Sequence, residues 1–183
     1  MLYFSDSSNS DLMNKLWIIA LTAVVYTSCT DSTASSTSSQ EAKEERNKKI
    51  ALASVAAFEK GKADSVLKDA APDAIDYGEG SMPPVKGVDS SKVSLQEWMT
   101  AIPNYKGADF VAVADGDYVM VYGQWSGTWK NNFMGMKATD RSFTVNDVDI
   151  FKFNEEGKII EHRSVQSNKE AARQLGMDMP SFE

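Results

Sequence analysis

The ionisable residues with most chemical potential lie together at Glu161-His162-Arg163, beside an apolar run. His162 is the only histidine in the chain. Because an imidazole titrates near neutral pH, His162 is the candidate general acid or base if the protein is an enzyme, with Asp140 as the other candidate proton carrier. Asp140, Glu161 and Asp149 are the carboxylates that could orient the imidazole. The interpretation that we favour is a surface histidine on an exposed strand face. Strand alternation places Glu161 and Arg163 on the face opposite His162, so the three side chains cannot all line one pocket.

Aromatic side chains form a second group with functional potential. In the predicted strand 118–130, Trp125 and Trp129 share one face with two glycines, which favours a curved strand with an aromatic wall. Ligand pockets are lined mainly by apolar and aromatic groups. We therefore predict a pocket for a small, mostly apolar ligand, or else aromatic side chains that fill the interior. The predicted lining residues are Tyr77, Trp98, Trp125, Trp129, Met134 and Arg163.

Composition and motifs exclude several classes of function. The formal net charge of -7 argues against nucleic acid as a partner, because nucleic-acid binding normally needs a basic surface. With Cys29 as the only cysteine, neither an intrachain disulfide nor a cysteine metal cluster can form. The sequence contains no phosphate-binding loop, zinc-ligand spacing or nucleophile elbow. We predict no cofactor and no metal.

The N-terminal region has the pattern of an export signal. A lysine precedes the apolar run Leu16–Tyr26, and two small residues precede Cys29. The run is too short to span a bilayer, which needs about 20 residues. This pattern resembles a bacterial lipoprotein signal, in which residues 1–28 are removed and Cys29 is acylated. The alternative is a conventional secretory signal with an incidental cysteine, and Met13 is an alternative start.

The lipoprotein signal implies a cell-envelope protein held at a membrane by Cys29. Residues 30–39, TDSTASSTSS, are too polar to fold alone, so we predict a flexible tether over residues 29–39. The folded domain is predicted to span residues 40–183. The leaflet and the membrane are left open.

Periodicity in the domain predicts helices first and strands afterwards. The expected class is α+β, with a meander of antiparallel strands and the helices on one sheet face. The predicted helices are 40–62, 63–70, 95–101 and 168–175, and the predicted strands are 110–114, 118–130 and the two arms of a hairpin at 142–166.

The first arm of that hairpin changes phase. Phe143 and Val145 alternate on one face, whereas Val148 and Ile150 fall on the other. A bulge near Asn146-Asp147 would explain the change, and a strand buried on both faces is the alternative. We favour the bulge, because without it Asp147 and Asp149 would lie in the core.

Two stretches carry a family resemblance. WSGTWKNNFMGMKATDRSF at Trp125–Phe143 and VDIFKFNEEGKIIEHRSVQSNKEAARQLG at Val148–Gly176 resemble a SnoaL-like domain of the nuclear transport factor 2-like superfamily. The resemblance covers most of residues 45–177. It implies a cone-shaped, strongly curved antiparallel sheet with N-terminal helices closing the wide end. Family activities include ring closure, isomerisation and dehydration, while other members bind ligands or dimerise through the sheet.

Two departures from the family pattern affect the predicted function. Ser167 stands where the family's cyclases are expected to carry an acid, and Trp129 replaces a histidine. We therefore predict a lipid-anchored, non-catalytic protein that binds a small apolar ligand. The first alternative is an isomerase, cyclase or dehydratase using His162 or Asp140. The second is a dimerisation or interaction module, which includes a homodimer.

Overall fold

The computed structural model describes residues 31–166 and 168–177. Internal packing divides the chain into two compact units, Met1–Ser38 and Ser39–Glu183. The predicted signal peptide, Cys29 and Ser167 lie outside the described residues. Their roles stay predictions.

Helices α1 (Asp31–Ala56) and α3 (Val88–Ala101) begin earlier than the sequence predicted, whereas α2 (Ala63–Val66) ends earlier than its predicted range of 63–70. Helix α1 begins at Asp31, so most of the predicted tether is helical. Helix α3 begins just after Gly87, whose φ of 84° turns the chain into it. Within the described residues, no helix is both long and apolar enough to cross a membrane. The helices are α1 Asp31–Ala56, the 3₁₀ turn Ala57–Lys60, α2 Ala63–Val66, α3 Val88–Ala101 and α4 Asn168–Leu175.

Six strands form one sheet in the order β2-β1-β6-β5-β4-β3. The α+β class is confirmed. The expectation of a purely antiparallel sheet is wrong at one place, because β1 runs parallel to β6 and separates it from β2. The last strand is therefore central in the sheet. The strands are β1 Ala70–Asp76, β2 Val85–Lys86, β3 Lys106–Asp115, β4 Tyr118–Thr128, β5 Ser142–Phe153 and β6 Ile159–Gln166.

Strand β5 contains no bulge against β4. The pairing runs without a shift from Thr128 opposite Ser142 to Tyr118 opposite Lys152. Buried and more exposed residues alternate along β5, so Asp147 and Asp149 lie on the inner face, 5% and 7% exposed. The predicted bulge is wrong. The phase change arises because Val148 and Ile150 lie on the outer face and the two aspartates replace apolar residues inside.

The core lies between the inner sheet face and the helices. Trp125 is 2% exposed and stacks on Tyr105 with ring centroids 4.9 Å apart. The interplanar angle is 7°, and Phe58 meets the indole edge-on at 5.6 Å. Burial of one large aromatic side chain contributes roughly 1.5–3 kcal/mol. Gly123 on the same face leaves room for a ring of Phe110, since a Cβ there would lie 2.6 Å from Phe110 Cδ1.

Candidate functional site

The parallel pairing of β1 with β6 places an aspartate beside the only histidine. Asp76 at the end of β1 is in register with His162 on β6, and Phe151 on β5 lies opposite His162 on the other side. Partners in register share a sheet face, so the three side chains meet on the inner face. The imidazole packs on Phe151 with centroids 5.0 Å apart.

Both imidazole nitrogens contact carboxylates. Nδ1 lies 2.9 Å from Oδ1 of Asp76, and Nε2 lies 3.0 Å from Oδ1 of Asp149. Ionised carboxylates only accept hydrogen bonds, so a ring that donates to both must carry a proton on each nitrogen. Burial opposes this charge, but the bonds and charges of Asp149 and Asp76 outweigh it and raise the pKa of His162 to about 10. His162 is therefore a cation at neutral pH.

Asp76 is the ionised base of this group. Burial by itself would raise its pKa, but the hydrogen bond and the charge of His162, together with the Gly78 N–H, lower it below the ordinary value. The Gly78 N–H donates to Oδ1 at 2.9 Å. The Asp76 side chain keeps 29% of its surface exposed. Asp76 is therefore a fixed, ionised and accessible carboxylate.

The inner face of β5 supplies two further carboxylates. Asp149 uses Oδ1 for His162, while its Oδ2 is buried without a hydrogen-bond partner. Asp147 accepts a bond from the Val165 N–H at 3.0 Å, which ties the end of β6 to β5. Burial, and secondarily the charge of Asp149, raises the pKa of Asp147 to about 6. Burial and both carboxylates also raise the pKa of Tyr105.

Two cavities border this group. The large cavity, of about 540 Å³, lies among α3, α4, β1 and the loops that follow β1 and β4. Asp76 borders it, together with Tyr77, Trp98, Trp129 and Met134 of the predicted pocket. The small cavity, of about 60 Å³, is bordered by Asp76, Asp149 and His162 from the other side of the group. Of these three residues, Asp76 alone borders both cavities.

Two of the predicted pocket residues lie elsewhere. Trp125 faces inward as expected, but it is covered by the aromatic rings of the core and does not border the large cavity. Arg163 does not border it either; its guanidinium lies over the Tyr77 ring, 3.7 Å from the centroid. This is cation–π geometry. Arg163 therefore supports the cavity wall through Tyr77.

The three carboxylates that were predicted to orient His162 lie in different places in the fold. Asp149 contacts the imidazole, as considered from the sequence. Asp140 borders neither cavity; it is exposed, takes a φ of 56° and pairs with Lys130 at 3.0 Å. Glu161 bonds Lys152 at 3.2 Å on the outer face. The structure thus gives Asp140 no position from which to act with His162.

The sequence reasoning missed Asp76 and Asp147. Asp76 is 86 residues from His162 along the chain, and no local pattern announces a parallel pairing over that distance. For Asp147 a signal existed, because uninterrupted alternation from Phe143 to Phe153 places it inside. Within the described residues, no group of three or more His, Cys, Asp or Glu side chains is arranged to hold a metal ion.

A curved six-stranded sheet with helices over its inner face and a lined cavity defines an α+β protein of the ketosteroid isomerase-like, or nuclear transport factor 2-like, class. The SnoaL-like polyketide cyclase family matches residues 48–175, and the chain belongs to that family. The predicted family and fold are confirmed.

Solved structures share the fold at low sequence identity. A proposed SnoaL-like polyketide cyclase from Jannaschia sp. CCS1 is 17% identical with a TM-score of 0.66, covering 74% of this chain and 95% of that one. A proposed polyketide cyclase from Xanthomonas campestris pv. campestris is 19% identical with a TM-score of 0.66, covering 73% and 98%. AclR, a proposed hydroxylase from Streptomyces galilaeus, is 23% identical with a TM-score of 0.61, covering 76% and 90%. No curated protein matches the chain significantly.

Proposed function

We propose that this protein is a proton-transfer enzyme of the cyclase or isomerase type, acting on a mostly apolar carbonyl compound in the large cavity. The observation that carries the proposal is the position of Asp76. Asp76 borders the cavity, and its ionised carboxylate is fixed by His162, which Asp149 holds in turn. This is the enzyme alternative of the sequence analysis, with the proton carrier moved from His162 or Asp140 to Asp76.

The proposed step is removal of a proton from carbon next to a carbonyl group. The Asp76 carboxylate takes the proton, and the C–H electron pair forms the enolate, with its negative charge on the carbonyl oxygen. The enolate carbon then attacks a second carbonyl carbon of the substrate, whose π electron pair moves to its oxygen and takes the proton from Asp76. In a conjugated substrate, the enolate instead takes the proton back from Asp76 at the far carbon of the conjugated system. Only the Asp76 carboxylate separates the positive charge of His162 from the reacting atoms. This fixed charge stabilises the negative charge that develops there.

His162 is a positioning residue in this scheme. With its pKa raised to about 10 it neither accepts a proton at neutral pH nor releases one easily. Its Nδ1–H instead fixes the rotamer of Asp76, and Asp149 fixes the imidazole through Nε2. A lowered pKa of Asp76 limits its basicity, but an apolar substrate that displaces water would raise it.

The family supports this class of reaction. Several structures with the same fold are described as proposed polyketide cyclases. The aromatic side chains around the cavity, among them Trp98 and Phe133 in edge contact at 5.5 Å, suit a ring-bearing substrate.

The test uses hydrogen–deuterium exchange on a model ketone. The purified protein is incubated in D₂O with 2-tetralone, and deuterium uptake next to the carbonyl is followed by NMR. We expect acceleration over buffer, lost by about 100-fold in Asp76→Asn, the range typical for removal of a general base. Asp140→Asn, which removes an exposed carboxylate outside both cavities, is the matched control. Equal exchange by Asp76→Asn and the unaltered protein would remove Asp76 from the mechanism.

Ligand binding without turnover is the second candidate. It is favoured by the largely apolar lining of the large cavity and by the engagement of Asp76 with His162 and Gly78. Quenching of tryptophan fluorescence by 2-tetralone, with no acceleration of exchange, would support it. No change of fluorescence with that ketone or with larger ring compounds would count against both candidates.

Membrane anchoring through Cys29 belongs to the same proposal. It rests on the signal pattern in the sequence, because Cys29 lies outside the described residues. Cys29→Ala should move the protein from the membrane fraction to the soluble fraction of its host. A variant that still sediments with membranes would contradict the anchor.

A homodimer is proposed as well. The outer face of β3 and β4 exposes Val111, Val113, Met120 and Tyr122, which cross-strand pairing brings together. Adjacent exposed apolar residues often mark an interface. Sedimentation should give a dimer that Tyr122→Lys converts to a monomer, with exposed Gln124→Lys on the same strand as the control.

A further inference from the structure

The two cavities are adjacent, and two residues border both of them. These are Asp76 on β1 and Leu95 on α3. The large cavity holds the substrate in the proposed function, and the small cavity has a volume of about 60 Å³. One water molecule needs about 10–15 Å³ on this measure, so the small cavity has room for a chain of roughly three to five non-hydrogen atoms. The partition between the two spaces lies at Asp76 and Leu95.

Helix α3 passes from one cavity to the other along a single face. Ser91 borders the small cavity, Leu95 borders both, and Trp98 borders the large one. These positions are four and three residues apart, so they lie on the same side of the helix. Leu95 therefore occupies the step between the two spaces.

Strand β1 makes the same passage on the opposite wall. Ala74 borders the small cavity, Asp76 borders both, and Tyr77 after the end of the strand borders the large one. The order along β1 thus matches the order along α3, and the boundary runs from Asp76 to Leu95. Hydrogen bonds to His162 hold Asp76 in place, whereas Leu95 is an alkyl side chain. Leu95 is the part of the boundary that a substitution can shorten without removing the proposed base.

The side chain of Leu95 packs on the side of the small cavity. It contacts the apolar cluster of Ala57, Val66 and Met99, and Val66 itself borders the small cavity. Replacement by alanine removes the side chain beyond Cβ, and the surroundings of such a deletion relax only in part. The small cavity would then gain volume and an opening toward the large one.

The wall behind Leu95 suits an alkyl group. Apart from two serines and the Asp76–His162–Asp149 group, the residues that border the small cavity are apolar. The Ser54 hydroxyl already donates to the Val66 carbonyl at 2.9 Å, and the charged groups are bonded to one another. An alkyl group that replaces water in such a space is favoured by the burial of apolar surface.

We infer that Leu95 is a specificity-determining residue: its side chain closes off the small cavity and so limits the substituent on the carbon from which Asp76 removes the proton. The inference rests on the proposed function for the substrate, a ring ketone in the large cavity. Because Asp76 borders both cavities, the space nearest to a substituent on the reacting carbon lies behind Leu95. A propyl group at that carbon is excluded until Leu95 is shortened.

Binding of two isomeric ketones tests the inference, with fluorescence of Trp98 and Trp129 at the large cavity as the signal. 1-Propyl-2-tetralone carries its propyl group on the reacting carbon, and 6-propyl-2-tetralone carries the same group at the far end of the ring system. We expect Leu95→Ala to shift the ratio of the two affinities by about tenfold or more toward the 1-propyl isomer, because it alone buries its propyl group in the small cavity. An unchanged ratio, or no binding of the 1-propyl isomer to Leu95→Ala, would overturn the inference.

Two further variants place the effect in the small cavity. Ala74 shares the inner sheet face with Asp76 and borders only the small cavity. Ala74→Leu added to Leu95→Ala refills that space and should return the ratio to that of the unaltered protein. A ratio that stays shifted would contradict the assigned place. Val93→Ala, at an exposed position of the same helix, is the matched control and should leave the ratio unchanged.

Leu95→Val keeps the test valid if Leu95→Ala does not fold. Its side chain is one carbon shorter than leucine, and the ratio should shift in the same direction by about twofold. A ratio equal to that of the unaltered protein would count against Leu95 as the partition.

Deuterium exchange separates this inference from the proposed function. If Asp76 is the base, Leu95→Ala should also accelerate exchange at the reacting carbon of the 1-propyl ketone. No exchange with any ketone, together with the shifted affinity ratio, would remove the proposed reaction and leave the role of Leu95 in place. Exchange of 2-tetralone with an unchanged ratio would remove the role of Leu95 and leave the proposed reaction in place.

Discussion

Strands β4 and β5 are neighbours whose inner faces are equally buried and differ in chemistry. The inner face of β4 is apolar or glycine throughout, whereas β5 places Asp147 opposite Gly123 and Asp149 opposite Val121. The strand without charges forms the core with Trp125, and the strand with charges holds His162. A buried face thus accepts carboxylates where a partner for them is built into the next strand.

The largest expected effect comes from placing a carboxylate on the inner face of β4, as β5 has. Val121→Asp would bury a carboxylate with no cationic partner directly opposite Asp149. We expect a loss of about 4–5 kcal/mol in the free energy of unfolding, because a buried unpaired charge is among the costliest changes. Denaturant unfolding measures it. Gln124→Asp on the outer face is the control and should cost under 1 kcal/mol; a similar loss in both would show that burial is not the cause.

The converse change replaces a carboxylate on the inner face of β5 with an apolar side chain, as on β4. Asp149→Val leaves His162 with one carboxylate, and we expect a loss of about 3 kcal/mol at pH 7. The pKa of His162 should fall from its raised value toward the ordinary one, since one of its two partners is gone. NMR titration of the imidazole follows this. An unchanged titration would mean that Asp149 does not hold the imidazole.

A smaller loss of stability is expected from adding a side chain at Gly123, which lies opposite Asp147. In Gly123→Ala, the added Cβ would lie 2.6 Å from Phe110 Cδ1 and 3.3 Å from the Ala108 carbonyl oxygen. The ring must move, at a cost of about 2 kcal/mol. The thermal midpoint measures the loss, and Gln124→Ala on the outer face should change it little. A stabilised Gly123→Ala would show that the ring is free to move.

The smallest expected effect is a gain in stability, in the variant Asp147→Asn. The folded-state pKa of Asp147 is about 6, above its ordinary 3.8, so the folded protein binds this proton more tightly and loses stability as pH rises from about 4 to 6. Asp147→Asn does not titrate and keeps an oxygen for the Val165 N–H. Allowing for burial of the amide, we expect it to be more stable by about 1 kcal/mol at pH 8, with the advantage gone near pH 4. Unfolding at both pH values checks this. A constant difference would exclude titration as the cause.

The sequence predicted the elements whose pattern is local. The hairpin at 142–166, the inward position of Trp125 and the final helix at 168–175 follow from alternation, turn chemistry and helical spacing, and all three are confirmed. The family resemblance rested on the same region. Most of the apolar core could therefore be predicted from the sequence alone.

The site could not be predicted because its residues obey tertiary constraints. Asp76 reaches His162 only through a strand pairing between distant segments. The buried position of Asp149 was rejected on the ordinary rule that charges avoid the core. That rule fails here because His162 supplies the compensating charge. Asp140 was considered as a proton carrier, but it is exposed, pairs with Lys130 and borders neither cavity.

The place of β6 in the sheet has a consequence for synthesis of the chain. Strand β6 is the last to be made, yet it lies between β1 and β5. Until residue 166 has emerged from the ribosome, both of those strands present unpaired edges, and such edges promote aggregation. Chains truncated before β6 should therefore be insoluble. Completion of the sheet and assembly of Asp76 with His162 are the same late event in folding.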